Sequence, residues 1–159
     1  MPKLYLSILL ILLFVPAVAE AEGQPVGIIK TLEGDATVLR GEQKIASVIG
    51  IVVLKGDIIE TSASGTVGIL FNDDSIISLG PESKLDMKDF AFNPKEEKFA
   101  VFMKMLKGTF VYISGAIGRL SPDSVKLETL QALLAHGDQG FDRGQGSINK
   151  YGLYYSKMG

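Results

Sequence analysis

Residues 56–85 have the sequence GDIIETSASGTVGILFNDDSIISLGPESKL, which is the part of the chain most informative about its fold. Short runs of β-branched and aliphatic residues alternate here with Gly, Asp, Asn, Pro and Ser, which are the residues that favour turns. Apolar runs of this length at a spacing of roughly 8–12 residues are typical of an all-β domain. The stretch therefore predicts strands over residues 57–60, 66–71 and 75–79.

The same pattern continues on both sides of this stretch. From Lys84 to Met87, charged and apolar residues alternate, which is typical of a strand with one solvent-exposed face. A slip at Asp89 then brings Phe90 and Phe92 onto one face. We expect an all-β fold whose short strands form either a solenoid-like stack or a sandwich, and the residues leave both arrangements open. Further strands are predicted over residues 26–30, 36–40, 48–54, 99–106 and 109–113.

Two segments need a separate interpretation. Residues 45–54 (IASVIGIVVL) are the most hydrophobic part of the body of the chain, but the run is short and Gly50 interrupts it. We interpret it as buried strand, because a membrane-spanning helix needs about 20 apolar residues. Near the other end, Leu127, Leu130 and Leu134 recur at helical spacing, which predicts a short C-terminal helix over residues 128–136.

The N-terminus has the pattern of a secretory signal. Lys3 supplies a positive start, residues 4–15 (LYLSILLILLFV) form an apolar run, and Pro16 ends it. Small residues then offer cleavage after Ala19 or after Ala21. We therefore predict that residues 1–21 are a signal peptide and that the mature protein is periplasmic or secreted. An uncleaved membrane anchor is the alternative.

Composition excludes several classes of function. The chain of 159 residues has no cysteine, which rules out disulfides, thiolate nucleophiles, cysteine zinc sites and a lipoprotein anchor on cysteine. Its one histidine, His136, rules out a mechanism that needs two imidazoles. The formal net charge of −2 and the lack of a basic block give no electrostatic basis for binding nucleic acid.

Pairs of acidic residues are the first candidates for chemistry. Asn72, Asp73 and Asp74 could ligate a metal, but a turn is the better interpretation, because these residues bond to their own backbone in turns. Asp86 and Asp89 could pair as acid and base. Residues three apart on a strand point to opposite faces unless a bulge intervenes, so we interpret both as parts of a solvated face.

The remaining candidates also favour structural roles. Four aromatic residues could form a platform for a sugar, although core packing is the preferred interpretation. His136 has no identified nucleophile, and the serines lack an activating arrangement. We therefore predict no catalytic, cofactor-binding or metal-binding residue, and no enzyme. The aromatic residues are Phe90, Phe92, Phe110 and Tyr112, and the serines include Ser62, Ser64 and Ser114.

Five pieces of the sequence, taken in order, resemble the FecR domain family. They are Gly34-Asp35-Ala36-Thr37-Val38, Gly56-Asp57-Ile58-Ile59-Glu60-Thr61, residues 67–75, Leu79-Gly80-Pro81-Glu82-Ser83-Lys84-Leu85, and Leu106-Lys107-Gly108-Thr109-Phe110. The likeness covers residues 26–132. It implies an extracytoplasmic β domain, solenoid-like in relatives, with a regulatory or interaction role. The family's sigma-regulating segment lies ahead of a membrane span, and here only three residues precede the apolar run, so that activity is not carried over.

The chain departs from the family pattern in two places. Asp74 stands where the family has glycine in a tight turn, and aspartate tolerates the left-handed conformation there at a cost of about 1 kcal/mol. Thr129-Leu130-Gln131-Ala132 lacks the family's proline, and no Gly-Thr follows it. We interpret residues 133–159 as a divergent tail. It is either a disordered segment or the product of a shifted reading frame, since the codons for residues 136–139 can encode Met-Gly-Thr-Lys one base later.

The sequence thus predicts a secreted or periplasmic, non-catalytic FecR-like module. We expect it to bind or regulate another envelope component, and a carbohydrate- or cell-wall-binding module is the alternative. The partner is then an envelope protein or a cell-wall glycan. No nucleic acid, no cofactor and, after signal cleavage, no stable membrane span are expected.

Overall fold

The computed structural model describes residues 23–129 and 153–157, the latter by their backbone. The described chain forms two six-stranded sheets. The first sheet has the order β12-β10-β7-β6-β1-β4 and the second the order β11-β9-β8-β5-β2-β3. The elements are β1 (Pro25–Glu33), β2 (Ala36–Arg40), β3 (Gln43–Ala46), β4 (Val52–Leu54), β5 (Ile58–Thr61), β6 (Thr66–Phe71), β7 (Ile76–Leu79), β8 (Lys84–Asn93), β9 (Lys98–Lys107), β10 (Thr109–Ile113), helix α1 (Ala116–Leu120), a 3₁₀ helix (Pro122–Ser124), β11 (Val125–Thr129) and β12 (Leu153–Lys157).

The all-β fold class is confirmed, and of the two arrangements left open the sandwich is the one observed. Neighbouring strands pair antiparallel, except that β11 runs parallel to β9. Both sheets contribute alternate residues to one core, as sandwiches require. Phe71 of the first sheet stacks on Phe90 of the second, with ring centroids 5.5 Å apart. Such aromatic pairs are worth about 1 kcal/mol beyond the area they bury.

Strand β8 contains the irregularity that the sequence predicted. Its pairing with β9 shifts register between Met87 and Asp89. As a result Met87 and Phe90 both point into the core, where they are 0% and 2% exposed. The predicted slip is therefore confirmed, and Lys88 is the extra residue of the bulge.

The prediction of one buried strand over residues 45–54 is wrong. Strand β3 ends at Ala46 and β4 begins only at Val52. Between them, Gly50 adopts a positive φ of 95° and the Ile51 N–H donates to the Val48 carbonyl, which makes a turn. Val48 and Ile49 consequently stand at the surface, 57% and 64% exposed.

A short helix is present after the strands of the sandwich, as expected, but it is α1 (Ala116–Leu120), and the prediction that it covers residues 128–136 is wrong at Glu128 and Thr129. Glu128 and Thr129 lie in β11, in register with Lys104 and Met105 of β9. Pairing with an existing strand has overridden the helical spacing, since tertiary context outweighs weak local preference. Residues 130–136 lie outside the described residues, and the helix that is present, α1, is earlier in the chain.

The divergent tail is described only over β12, which pairs with β10 through five residues in register. Residues 130–152, with His136 and the glycine-rich segment 137–146, lie outside the described residues, as does the predicted signal peptide. In the part of the chain that the structure describes, no helix is long and apolar enough to cross a membrane.

Candidate interaction surface

A hydrogen-bond network joins the two sheets at residues quoted for the family resemblance. The Ser83 N–H donates to Thr61 Oγ1 over 2.8 Å, and Thr61 Oγ1 donates to the Gly80 carbonyl over 2.7 Å. Ser83 Oγ accepts from the Thr109 N–H at 3.0 Å and lies 3.1 Å from the Thr109 carbonyl, to which it donates. Ser83 and Thr61 are buried. These side chains connect β5, β8 and β10, so their role is to hold the sandwich closed.

An ion pair with a buried carboxylate lies where β4 of the first sheet meets the second sheet. Arg40 Nε and Nη2 donate to the two carboxylate oxygens of Asp57 at 2.9 and 2.7 Å. Asp57 is only 1% exposed, and its hydrogen bond raises the pKa of Arg40. A bidentate guanidinium–carboxylate pair of this kind combines charge with fixed geometry. The aspartate of the Gly56-Asp57 motif is therefore a structural residue.

The same pair also covers the edge of the first sheet. Arg40 Nη2 donates to the Val52 carbonyl at 2.9 Å, and the Leu54 N–H donates to Asp57 Oδ2 at 2.8 Å. Val52 and Leu54 lie two apart on the edge strand β4, so these two groups point away from β1. They are the groups that a further strand would use. Side chains occupy them instead, which protects the edge from strand addition.

The turn Asn72-Asp73-Asp74-Ser75 is confirmed as a turn. Asp73 is fully buried, and its carboxylate accepts from Ser75 Oγ at 2.6 Å and from the Ile117 N–H at 3.2 Å. Asp74 has a φ of 63°, the left-handed conformation expected where the family has glycine. Asp73 thereby fastens the β6–β7 turn to the start of α1. In residues 23–129, no group of three or more acidic or histidine side chains could hold a metal ion.

Tyr112 lies beside this turn. Burial raises the pKa of its hydroxyl, and the nearby Asp73 charge adds to the effect, while the Ser75 and Ser114 hydroxyls oppose it. Although those serines are close, no described group meets the Tyr112 hydroxyl with hydrogen-bond geometry. An unpaired buried hydroxyl lowers the stability of the fold. Burial of the apolar ring of Tyr112 contributes in the opposite direction.

Asp86 and Asp89 do not point to opposite faces, so that expectation is corrected. The bulge at Lys88 brings both onto the outer face of the second sheet, where Asp86 pairs in register with Lys104 and Asp89 with Phe102. Each carboxylate has its own cation: Lys88 bonds Asp86 and Lys55 bonds Asp89, both at 2.6 Å. The interpretation of a solvated face is right for Asp89, whose side chain is 43% exposed, and wrong for Asp86, whose side chain is 9% exposed. The two carboxylates are bound to lysines and not to each other.

The four aromatic residues considered as a sugar platform do not form one. Phe90, Phe110 and Tyr112 are at most 3% exposed, which confirms core packing for these three. Phe92 is half-buried and packs on Phe99 with ring centroids 6.2 Å apart. Of the candidate serines, Ser62 has a buried hydroxyl and Ser114 approaches Tyr112.

An uncharged aliphatic row crosses the outer face of the first sheet. Strand pairing places Val52 opposite Ile28, Ile28 opposite Leu70, Leu70 opposite Ile76, and Ile76 opposite Ile113. The residues next to them along the strands, such as Ile29, Ile69 and Ile77, point into the core, so the row points outward. Its members Val52, Ile76 and Ile113 are 45%, 37% and 42% exposed. We call this set (Val52, Ile28, Leu70, Ile76 and Ile113) the aliphatic row.

The outer face of the second sheet is different in character. It carries the ion pairs Lys84–Glu60 and Lys104–Glu128 across neighbouring strands. Lys104 also lies over the ring of Phe102, with its ammonium 5.9 Å from the centroid. One side of the sandwich is therefore covered by paired charges, as a solvated sheet face is. The other carries the aliphatic row, with the exposed Lys30 of the β1 bulge next to it. A line of exposed apolar side chains on a sheet face is the kind of surface that marks an interaction site.

The aliphatic row was missed by reasoning from sequence. A usable signal was present, because Ile28-Ile29, Ile69-Leu70 and Ile76-Ile77 are pairs of adjacent apolar residues within strands. A strand with one wet face alternates, whereas adjacent apolar residues indicate that both faces are apolar. Only the register, however, shows that the outward members of five strands fall on one line.

Comparison of the chain with protein-family models, with curated proteins and with solved structures finds no match in any of the three. The resemblance to the FecR domain therefore depends on the residues quoted for it, and the site has to be interpreted from its own chemistry.

Proposed function

We propose that this protein is an exported, non-catalytic FecR-like module that binds or regulates another component of the cell envelope. The observation that carries the proposal is the aliphatic row, a line of apolar side chains across the outer face of the first sheet, opposite a face covered by paired charges. Burial of apolar area is the main source of affinity between proteins, and charge is depleted at the centre of their interfaces.

The placement of the motif side chains supports the same proposal. Asp57, Thr61, Asp73 and Ser83 are all buried and hydrogen-bonded to groups within the domain. Side chains used in this way hold the two sheets and the turns together. A partner that binds at the surface of the domain does not need to contact these buried side chains.

The proposal is tested by localisation and by capture. A C-terminally tagged chain is fractionated from cells, and its N-terminus is sequenced for cleavage after Ala19 or Ala21. The exported protein is then used to capture envelope proteins, beside a variant with Ile76→Lys and Ile113→Lys. Export, with capture that the variant loses, is the expected result. A protein that stays in the cytoplasm, or captures that ignore the two substitutions, would contradict the proposal.

A further inference from the structure

The two edges of the first sheet are closed in different ways. At β4, Arg40 and Asp57 bond the outward-pointing groups of Val52 and Leu54, and these side chains belong to the sandwich itself. At the other edge, β10 is covered by β12, which is the last strand in the described order of that sheet. One edge is therefore closed by side chains of the sandwich, whereas the other depends on a single added strand.

The strand register shows which backbone groups of β10 face β12. The Gly80 N–H donates to the Thr109 carbonyl, so the backbone groups of Thr109 face β7. Successive residues of a strand direct their backbone groups to opposite sides, and those of Phe110 and Tyr112 therefore face β12. An antiparallel strand at this edge exchanges hydrogen bonds with these two residues.

Strand β12 has little to hold it in place. It pairs with one strand through five residues. Residues 130–152, 23 in all, separate it from β11, whereas a single residue, Gly108, joins β9 to β10. A few hydrogen bonds must offset the entropy lost when five residues are ordered and a long connection is closed. We therefore expect β12 to detach while the rest of the sandwich stays folded.

The β10 edge is apolar on both faces. Phe110 and Tyr112 point into the core and are 3% and 2% exposed, whereas Val111 and Ile113 lie on the outer face and are 38% and 42% exposed. Strand β10 contains no charged residue, and the exposed Lys30 lies three strands away on β1. Strands that are apolar on both faces are usually covered on both sides. An extended apolar segment therefore fits this edge.

The edge strands of the second sheet, β3 and β11, are less suited to strand addition. Each contains an exposed lysine, Lys44 in β3 and Lys126 in β11. Lysine side chains on an edge strand discourage pairing with another chain. The β10 edge has no such protection apart from β12.

We propose that the β10 edge binds an extended apolar strand of a partner protein, and that β12 is a displaceable occupant that closes this edge until the partner binds. Addition of a strand to a sheet edge is a general mode of recognition, in which main-chain hydrogen bonds give affinity and side chains give specificity. A tethered strand competes at a high effective concentration, so β12 sets the affinity that a partner must exceed. The inference goes beyond the proposed function, because it concerns the edge of the sheet and not the aliphatic row across its face.

Hydrogen exchange of the exported chain, followed residue by residue with NMR, tests whether β12 detaches. The Tyr112 amide faces β12, whereas the amide of its neighbour Val111 faces β7 and is the internal control. Detachment of β12 alone should let the Tyr112 amide exchange at least about tenfold faster than the Val111 amide, after correction for their intrinsic rates. Equal protection of the two amides would show that β12 opens only with the whole sandwich, and it would overturn the inference.

A peptide tests whether the edge accepts a strand from outside. A fluorescein-labelled copy of residues 151–157 is titrated with the exported chain, and binding is followed by fluorescence anisotropy. Tyr154→Pro removes the β12 N–H that points to Tyr112, whereas Tyr155→Pro removes one that points away from β10 and is the matched control. Tyr154→Pro should raise the affinity for the peptide at least about tenfold over wild type, and Tyr155→Pro should leave it unchanged.

The remaining outcomes are equally definite. A scrambled peptide of the same composition controls for non-specific binding, and circular dichroism confirms that both proline variants remain folded. No binding to Tyr154→Pro, or equal affinities for the two proline variants, overturns the inference. If a proline variant unfolds, hydrogen exchange of the unmodified chain decides. The proposed function fails separately, because capture of an envelope protein that Ile76→Lys abolishes stands without any peptide binding, and peptide binding without such capture supports the β10 edge alone.

Discussion

Removal of the Asp57 carboxylate should be among the most damaging single changes to this fold. Asp57 accepts two hydrogen bonds from Arg40 and one from the Leu54 N–H, and it is 1% exposed. Breaking a buried ion pair on one side costs about 3–5 kcal/mol. The Arg40 side chain is 33% exposed, so water compensates part of that loss. For Asp57→Ala we therefore expect the free energy of unfolding to fall by about 2–3 kcal/mol.

Two further variants make this prediction specific. Asp57→Asn keeps an oxygen that can accept from the Leu54 N–H but removes the charge, so its loss should be about half as large. Glu60→Gln is the matched control, because the Lys84–Glu60 ion pair is solvent-exposed and should be worth less than about 1 kcal/mol. Urea unfolding followed by far-UV circular dichroism measures all three. A loss for Asp57→Ala no larger than that for Glu60→Gln would refute the reasoning.

Three other predictions concern the hydrogen bond between Thr61 and Ser83, the Tyr112 hydroxyl and the close packing at Gly115. Thr61→Val leaves the Ser83 N–H without its acceptor and should lower the unfolding free energy by about 1–3 kcal/mol in a urea titration; an unchanged midpoint would show that the network carries no stability. The raised pKa of Tyr112 means that the folded state holds this proton more tightly than the unfolded state. Its stabilising contribution is therefore complete below about pH 10 and lost as the pH rises above that value, so unfolding at pH 8 and 10.5 should differ less in Tyr112→Phe than in wild type. Gly115→Ala places a Cβ against the backbone of Asp73 and Ser75 and should cost more than about 2 kcal/mol, whereas a melting temperature equal to that of wild type would contradict the close approach.

The strands could be predicted because turns divide them. The predicted strands at residues 66–71 and 109–113 coincide with β6 and β10, each of which has turn residues on both sides. The prediction for residues 45–54 was wrong because their hydrophobicity alone was taken to mean burial. Gly50, with its positive φ, turns the chain there. The helix prediction at the end of β11 was wrong for another reason. The spacing of the leucines cannot show that this segment pairs with β9 as a parallel strand.

The roles of the motif residues could not be derived in the same way. Asp57 bonds a residue 17 positions away and Ser83 bonds one 26 positions away, and no local pattern indicates such partners. The aliphatic row is harder still, because it exists only once five strands are aligned in register. Local sequence specifies which residues are apolar, whereas pairing decides which of them share a surface.

The use of the aliphatic row as a binding surface is tested most directly by photo-cross-linking in living cells. A photoreactive phenylalanine analogue replaces Ile76 on the row in one strain and Lys104 on the charged face in another. If the row binds a protein, position 76 should give one discrete adduct that position 104 does not give. No adduct at position 76, or the same products at both positions, would contradict the account.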